Sequence, residues 1–310
     1  MKVLVTGGAG YIGAELVYQL SLDDSISEIL VYDNLSNGNE NLFISTSHKI
    51  KSGNVKFIHG DLLDSRKLKK AIQGVSIVYH LAAKVANRFR DEDSHVFEQV
   101  NNWGTSEVVL AVEEESSVKK FVYVSSMSVY GSSLKDAPVN EDTALNPKSF
   151  YGISKMRGEG HVQRLMNKME TVIIRCANVY GYSPTIRFDS VVNRFLFDSN
   201  FNGRIQIHGS GKQSRTFIHV SKLVNALSHL VGNDVPSGIY NLGDVNSSVL
   251  DLVDIFKEVY PELEFIFINQ HLQLRNLEMD TNNRIKKYID LPEADLKQEV
   301  INFKNNNFSF

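Results

Sequence analysis

VLVTGGAGYIGAEL, residues 3–16, runs from an apolar, β-branched stretch through a cluster of glycines into a helix-like segment. Gly7 permits a tight turn, Gly10 lets the backbone approach a pyrophosphate, and Gly13 lets the helix close on the strand. The helix is expected to start near Tyr11, so that its positive N-terminus, with Tyr11 and Ile12, faces the phosphates. Glycines alone would suit any tight turn; the strand before them and the helix after them single out a dinucleotide-binding turn. The next apolar run ends in VYD, which sets Asp33 twenty residues after Gly13. A carboxylate there accepts hydrogen bonds from both ribose hydroxyls of an adenosine and repels a 2′-phosphate. The following NLSNGNE (34–40) offers no arginine to hold such a phosphate. NAD is therefore expected in preference to NADP. GDL at 60–62 follows the third apolar run and would set Asp61, beside Leu62, near the adenine rim.

Outward from this turn the chain alternates. KVLVT (2–6), EILVY (28–32), VKFIHG (55–60), VSIVYHL (75–81), KKFVYVSS (119–126) and TVIIRC (171–176) read as strands. Between them lie helix-like segments near 11–21, 64–73, 94–115 and 151–168. Near-continuous apolar strands joined by helical crossovers imply a parallel sheet covered on both faces, a doubly wound, Rossmann-type α/β fold. Residues 1–179 are expected to form this cofactor domain. After VYG (179–181) the alternation stops: SVVNRFLF (190–197) and SKLVNALSHLV (221–231) look helical, RIQIHG (204–209) and RTFIHV (215–220) look like short strands. SGIYNLG (237–243) and LDLVDIFKEVY (250–260) continue the mixture, giving a smaller α/β lobe over 180–310 in discontinuous pieces.

The chain has 310 residues, 42% of them hydrophobic and 10% aromatic, enough to bury a sizeable core in two lobes. Its formal net charge is −3 with both signs interspersed, so neither a nucleic acid nor an acidic membrane surface is an expected partner. KLKK (67–70) is the densest basic run and reads as one solvated helix face. MKVLVTGGAG is neither a signal peptide nor a membrane span. Cys176 stands alone, so no internal disulfide can form. The expected location is the cytoplasm, where the sequons at Asn34, Asn246 and Asn307 carry no meaning. No metal is expected.

SFYGISKMRGE (149–159) places a tyrosine and a lysine four apart. On a helix Tyr151 and Lys155 would share a face, as a solvated contact or as a proton-transfer pair, and spacing alone does not separate the two. Free tyrosine has a pKa of ~10 and is a poor base near neutrality. A nearby ammonium and a positive nicotinamide ring would favour the phenolate.

TGGAGYIG, VYDNLSNG, GDL, HLAA (80–83), NNWGT (101–105), VSSMSVYG (124–131), YGISK (151–155) and RCANVYG (175–181) occur together and in this order. In them the chain resembles the extended short-chain dehydrogenase/reductase family, within it the NAD-dependent epimerase/dehydratase group, and most of all the UDP-glucose 4-epimerases. The resemblance covers about residues 1–245. It implies Tyr151 as the proton acceptor, Ser126 sharing the proton on the substrate hydroxyl, and Lys155 holding the nicotinamide ribose. It further implies cofactor contacts from Asn34, Ser36, Asn37, Gly38, Leu81, Ala82, Ala83, Asn101, Ser125 and Cys176. Asn101 would equally cap a turn, and Cys176 would equally be a core thiol. Lys84, Asn178, Arg215 and Arg275 would meet the substrate, with Arg215 clamping the diphosphate of a nucleotide sugar, UDP-linked by the resemblance. A loop role for Asn178 and a surface role for Arg275 remain open.

Relatives that eliminate water carry an Asp-Glu pair after the serines; this chain has Met127 and Ser128, which disfavours a 4,6-dehydratase. The expected activity is an NAD-dependent nucleotide-sugar 4-epimerase, oxidising C4 and returning the hydride to the opposite face. A 4-ketoreductase or dehydrogenase with exchangeable NAD(P) would share the triad. A redox-sensing or RNA-binding scaffold is disfavoured, because Ser126, Tyr151 and Lys155 are all present and the chain is acidic. A homodimer through the helices near 94–115 and 151–168 is what the resemblance implies.

Overall fold

The computed structural model describes residues 1–37, 40–44, 53–85, 94–133, 137–272, 274–293 and 295–308. The six expected strands form: β1 (Lys2–Thr6), β2 (Glu28–Asp33), β3 (Val55–His59), β4 (Ile77–His80), β5 (Lys120–Ser126) and β6 (Glu170–Cys176). Four more elements of this half are helices: α1 (Tyr11–Ser21), α2 (Asn41–Ile44), α3 (Ser65–Ile72) and α4 (Ser94–Phe97). The segment expected as one helix over 94–115 is in three pieces, with a π-helical turn, Glu98–Gly104, between α4 and α5 (Thr105–Glu113). The helix expected over 151–168 is α6 (Phe150–Gln163), followed by a 3-10 turn, Arg164–Asn167.

Beyond β6 come β7 (Asn178–Tyr180), α7 (Val191–Phe201), β8 (Arg204–His208), β9 (Ser214–His219), α8 (Val220–His229) and β10 (Gly238–Leu242). The chain continues through β11 (Val245–Ser248), α9 (Val249–Val259), β12 (Glu264–Ile268) and α10 (Leu296–Asn307). The main sheet has seven strands in the order β10-β6-β5-β4-β1-β2-β3, every neighbouring pair parallel. The strand order reverses between β1 and β4, the crevice where such sheets bind ligands at the carboxyl ends of their strands. Alternate residues feed opposite faces. Val3 and Val5 join Ile29, Val31, Tyr79 and the helix α8 on one side; Leu4 joins Leu30, Val78, Tyr123 and α5 residues on the other.

One assignment changes. SGIYNLG was expected in the second lobe, yet Gly238–Leu242 pairs with Val172–Cys176 as the edge strand of the main sheet, and α8 packs on α1. A strand's sheet is set by its partner, not by its place in the chain. The remaining C-terminal strands form two small sheets, β11-β9-β7 and β12-β8. Around them Phe195, Ile205, Ile207, Phe217, Leu252, Phe256 and Phe303 build a third core.

Candidate active site

A cavity of about 380 Å³ opens at the β1–β4 crevice. Its lining includes Gly7, Gly10, Tyr11, Ile12, Gly13, Asp33, Asn34, Ser36, Asn37, Asp61, Leu62, Leu81, Ala82, Ala83 and Lys84, all singled out from the sequence. Gly38 lies outside the described residues. Helix α1 enters from Gly10 with no side-chain cap and no acidic residue in its first turn, so its first N–H groups are left for an anion. A Cβ at Gly10 would meet only the Gly7 carbonyl oxygen, at 3.2 Å, so the space beside it is open. These features fit a bound dinucleotide, whose pyrophosphate would lie on the α1 N-terminus.

The other end of the cavity is shaped by Asp33. One of its oxygens accepts from Ala9 N (3.0 Å) and the other from Leu35 N (2.8 Å), which ties the glycine turn to the loop after β2. Asn34 donates to Asp61 across the rim (2.8 Å). The lining around Asp33, from Asn34, Ser36, Asn37 and Asp61, carries no cation, in keeping with a ribose 2′-hydroxyl rather than a phosphate.

Val124 on β5 lines the cavity and Ser126 follows two residues on, but Ser126, Tyr151 and Lys155 are themselves outside the lining. Ser149 caps α6 by accepting from Gly152 N at 3.1 Å, which sets Tyr151 in the first turn and Lys155 one turn on. Ser126, at the end of β5, acts on the Tyr151 phenol, whose ring meets Phe97 edge-on, centroids 6.3 Å apart. Ser126 Oγ also accepts from Ser128 N at 3.1 Å. Burial pushes the Tyr151 phenol up, opposed by the Ser126 hydroxyl and the Arg187 guanidinium. Lys155 is not among the groups that act on the phenol here. Lys155 points instead into the protein, its Nζ 4.2 Å from the centre of the Tyr123 ring, and burial pushes it down to about 7 against the pull of Glu159.

Asn101 is fully buried on the π-helical turn and does not line the cavity. Its amide accepts from Lys84 N (2.7 Å) and donates to Lys84 O (2.9 Å) and Ser154 Oγ (3.0 Å). It thus braces the Leu81–Lys84 wall against α6. Ser125 is buried behind the wall and donates to Glu159 Oε1 at 2.5 Å. Cys176 is likewise buried, with burial pushing its thiol up to about 12, an inert group. Asn178 donates to Thr216 O (2.9 Å). Arg215 donates to Ser214 O (2.8 Å) and to the carbonyl of Arg275, while Arg275 itself is exposed.

The lining residues not singled out from the sequence include two charged ones. Arg187 and Asp189 line the cavity as an ion pair, Nη2 to Oδ2 2.6 Å, and Arg187 also lowers the Tyr11 phenol against its burial. Their only signal was an Arg-Phe-Asp in the loop where the strand–helix alternation ends. Tyr11 joins this loop to the glycine turn, its hydroxyl donating to Gly181 O at 2.7 Å.

Residues 3–243 match the NAD dependent epimerase/dehydratase family. The chain belongs to that family, and the cofactor of the family is NAD. It is 34% identical over 272 residues to human dTDP-D-glucose 4,6-dehydratase, covering 85% of this chain and 76% of that protein. It is 31% identical over 283 residues to the uncharacterized UDP-glucose epimerase YtcB of Bacillus subtilis, covering 84% and 82%. Among solved structures, the UDP-glucuronic acid 4-epimerase of Bacillus cereus, in complex with UDP-glucuronic acid and NAD, superposes with a TM-score of 0.85 at 23% identity. That superposition covers 97% of each chain and shows a shared fold.

Proposed function

We propose that this chain is a nucleotide-sugar 4-epimerase acting on a UDP-sugar. The observation that carries the reading is that Ser126, two residues past the cavity-lining Val124, acts on the Tyr151 phenol, with Met127 and Ser128 in place of an acid pair. Met127 is buried and sulfur-to-amide bonded to Asn178, so no carboxylate stands there to eliminate water, although human dTDP-D-glucose 4,6-dehydratase is a relative. NAD, when bound, supplies a reversible hydride acceptor for the sugar C4. Tyr151 takes the C4 hydroxyl proton and returns it after the keto sugar has turned; Ser126 holds that hydroxyl, and Lys155 would swing its Nζ off the Tyr123 ring to hold the cofactor ribose. Burial pushes this phenol up and the Arg187 guanidinium opposes it only in part, so ionisation needs a further positive neighbour. Bound cofactor is that neighbour, which couples proton removal to cofactor presence.

Residues 1–179 with the returning segment 220–242 form the cofactor body in this reading, and the rest forms the substrate lobe, with Arg215 at the diphosphate. The protein works in the cytoplasm as a homodimer. Trp103 and Phe150, 56% and 59% exposed, lie on the π-helical turn and at the start of α6, the faces expected to meet. Among the described residues no helix is long and apolar enough to cross a membrane.

The test is to incubate purified protein with a panel of nucleotide sugars, without added NAD, and to look for new C4 stereoisomers by NMR. Wild type should interconvert at least one UDP-sugar pair, and Tyr151→Phe should be slower by ~10²-fold or more. Protein that purifies without NAD, forms no isomer, and reduces a keto sugar with added NAD(P)H would make it a ketoreductase instead.

A further inference from the structure

Beneath the triad lies a buried ion pair that the reaction as written leaves unused. Glu159 is one turn beyond Lys155 on α6 and 1% exposed; Arg175 on β6 is 3% exposed. Arg175 grips the carboxylate with Nε (3.1 and 3.3 Å) and Nη2 (2.8 Å), and Ser125 adds the 2.5 Å hydrogen bond to Oε1. Arg175 is also the β6 residue in register with Ser125. Its remaining arm donates to the Tyr130 hydroxyl (2.9 Å), which donates to Asn241 Oδ1 on β10 (2.7 Å). A pair buried this deeply is costly to desolvate, and apolar residues of similar volume often serve stability as well or better.

The groups facing Lys155 show what the pair does. From its own helix comes Glu159, from β5 the Tyr123 ring, from β4 His80, and from β6 Cys176, with Arg175 behind Glu159. Burial keeps three of these neutral: His80 is pushed down to about 3, Cys176 up to about 12, and Tyr123 well above its ordinary value. Among the described residues around Lys155, Glu159 is the one carboxylate. We propose that Glu159 is a positioning residue for the reaction: its carboxylate is the counter-charge of the buried Lys155 ammonium, fixed by Ser125 and Arg175 to the strand end that carries Ser126. Arg175 holds the carboxylate still, and Lys155 feels the charge. The proposal rests on the Tyr151–Lys155 reading given above.

Glu159→Gln removes the charge and keeps the shape. In the kcat–pH profile of the NAD-loaded enzyme the alkaline limb should move to lower pH by about one unit or more, the size of effect one opposite charge exerts at close range. An ammonium without its counter-charge gives up its proton earlier. Because Glu159→Gln leaves a guanidinium unpaired, the second variant is Glu159→Gln with Arg175→Met, which leaves no buried charge of the pair. This double variant should melt close to wild type and still show the displaced limb. A limb that stays at the wild-type pH in either folded variant would overturn the proposal and leave Glu159 as a partner of Arg175 alone. Failure of the underlying reading shows separately, as undiminished turnover in Tyr151→Phe.

Discussion

Lys155 shows the conflict a single residue carries. It is 2% exposed, and burial takes its ammonium from an ordinary 10.5 down to about 7, while its assigned work requires the charge. The stability consequence has a definite sign. The unfolded chain holds the lysine proton up to about 10.5, the folded chain only up to about 7, so across that window the unfolded state binds more protons and stability rises with pH. Below about 7 both states are protonated and the folded protein bears the full cost of burying the charge. Lys155→Met should therefore be more stable than wild type at pH 6.5, and its advantage should shrink steadily as the pH rises to ~10. Urea midpoints of the cofactor-free proteins across that range measure it; an advantage independent of pH would mean that Lys155 is not titrating in the core. His80, also buried, avoids the conflict by staying neutral between Thr6 Oγ1 (2.7 Å) and Thr105 Oγ1 (3.0 Å).

At the scale of elements, the glycine turn separates two roles that the sequence shows as one motif. A Cβ at Gly13 would collide with the Gly7 carbonyl and the Gly8 Cα, backbone atoms that cannot yield, whereas at Gly10 it would meet only the Gly7 oxygen at 3.2 Å. Gly13→Ala should lose both fold stability and NAD binding. Gly10→Ala should melt near wild type yet bind NAD at least tenfold more weakly, as calorimetry would report; unchanged NAD affinity would remove Gly10 from the pyrophosphate site. The same contrast marks what could be read from sequence. β1, β2, β4, β5 and β6 were legible because strands buried on both faces show as unbroken apolar runs, and β3, the half-exposed edge strand, as a short apolar run before GDL. The glycine turn and Asp33 were legible because their chemistry is local. β10 was legible as a strand but not as part of the main sheet, since its pairing with β6 joins Gly238 to Val172 and no pattern within either segment encodes that register. The π-helical turn was hidden for a related reason: one extra residue per turn does not disturb hydrophobic spacing enough to be seen, yet it delivers Asn101 to the Lys84 backbone. Arg187 and Asp189 were missed because a loop has no period at all.

Across the whole molecule, the sheet crevice offers cofactor binding and the C-terminal pieces must be held against it for any second ligand to meet the triad. A buried polar knot does part of that holding. Lys222, on the helix α8 that packs against α1, reaches Asp244 Oδ2 at 2.6 Å, Glu299 Oε1 at 3.2 Å and the Glu293 carbonyl at 3.0 Å. Glu299 belongs to α10 and also accepts from the Tyr180 hydroxyl on β7. One cation thus joins the body of the sheet, the loop after β10 and the last helix. The side chains of Lys222 and Asp244 are 8% and 9% exposed, so removing the cation leaves two carboxylates facing each other with little water to screen them. Breaking a buried pair in this way costs about 3–5 kcal/mol, whereas removing charge from both sides costs less. Lys222→Met should lower the urea midpoint accordingly, and adding Glu299→Gln should recover part of the loss. On the proposed reading the two binding sites should respond unequally: NAD would sit on the glycine turn and the β4 wall, which give the knot no partner, while a nucleotide sugar would depend on how the C-terminal pieces are seated. UDP-sugar affinity should therefore fall more than NAD affinity in Lys222→Met at a temperature where the variant is folded. Equal losses of both ligands would show that the knot supports the molecule as one body rather than seating one part of it on the other.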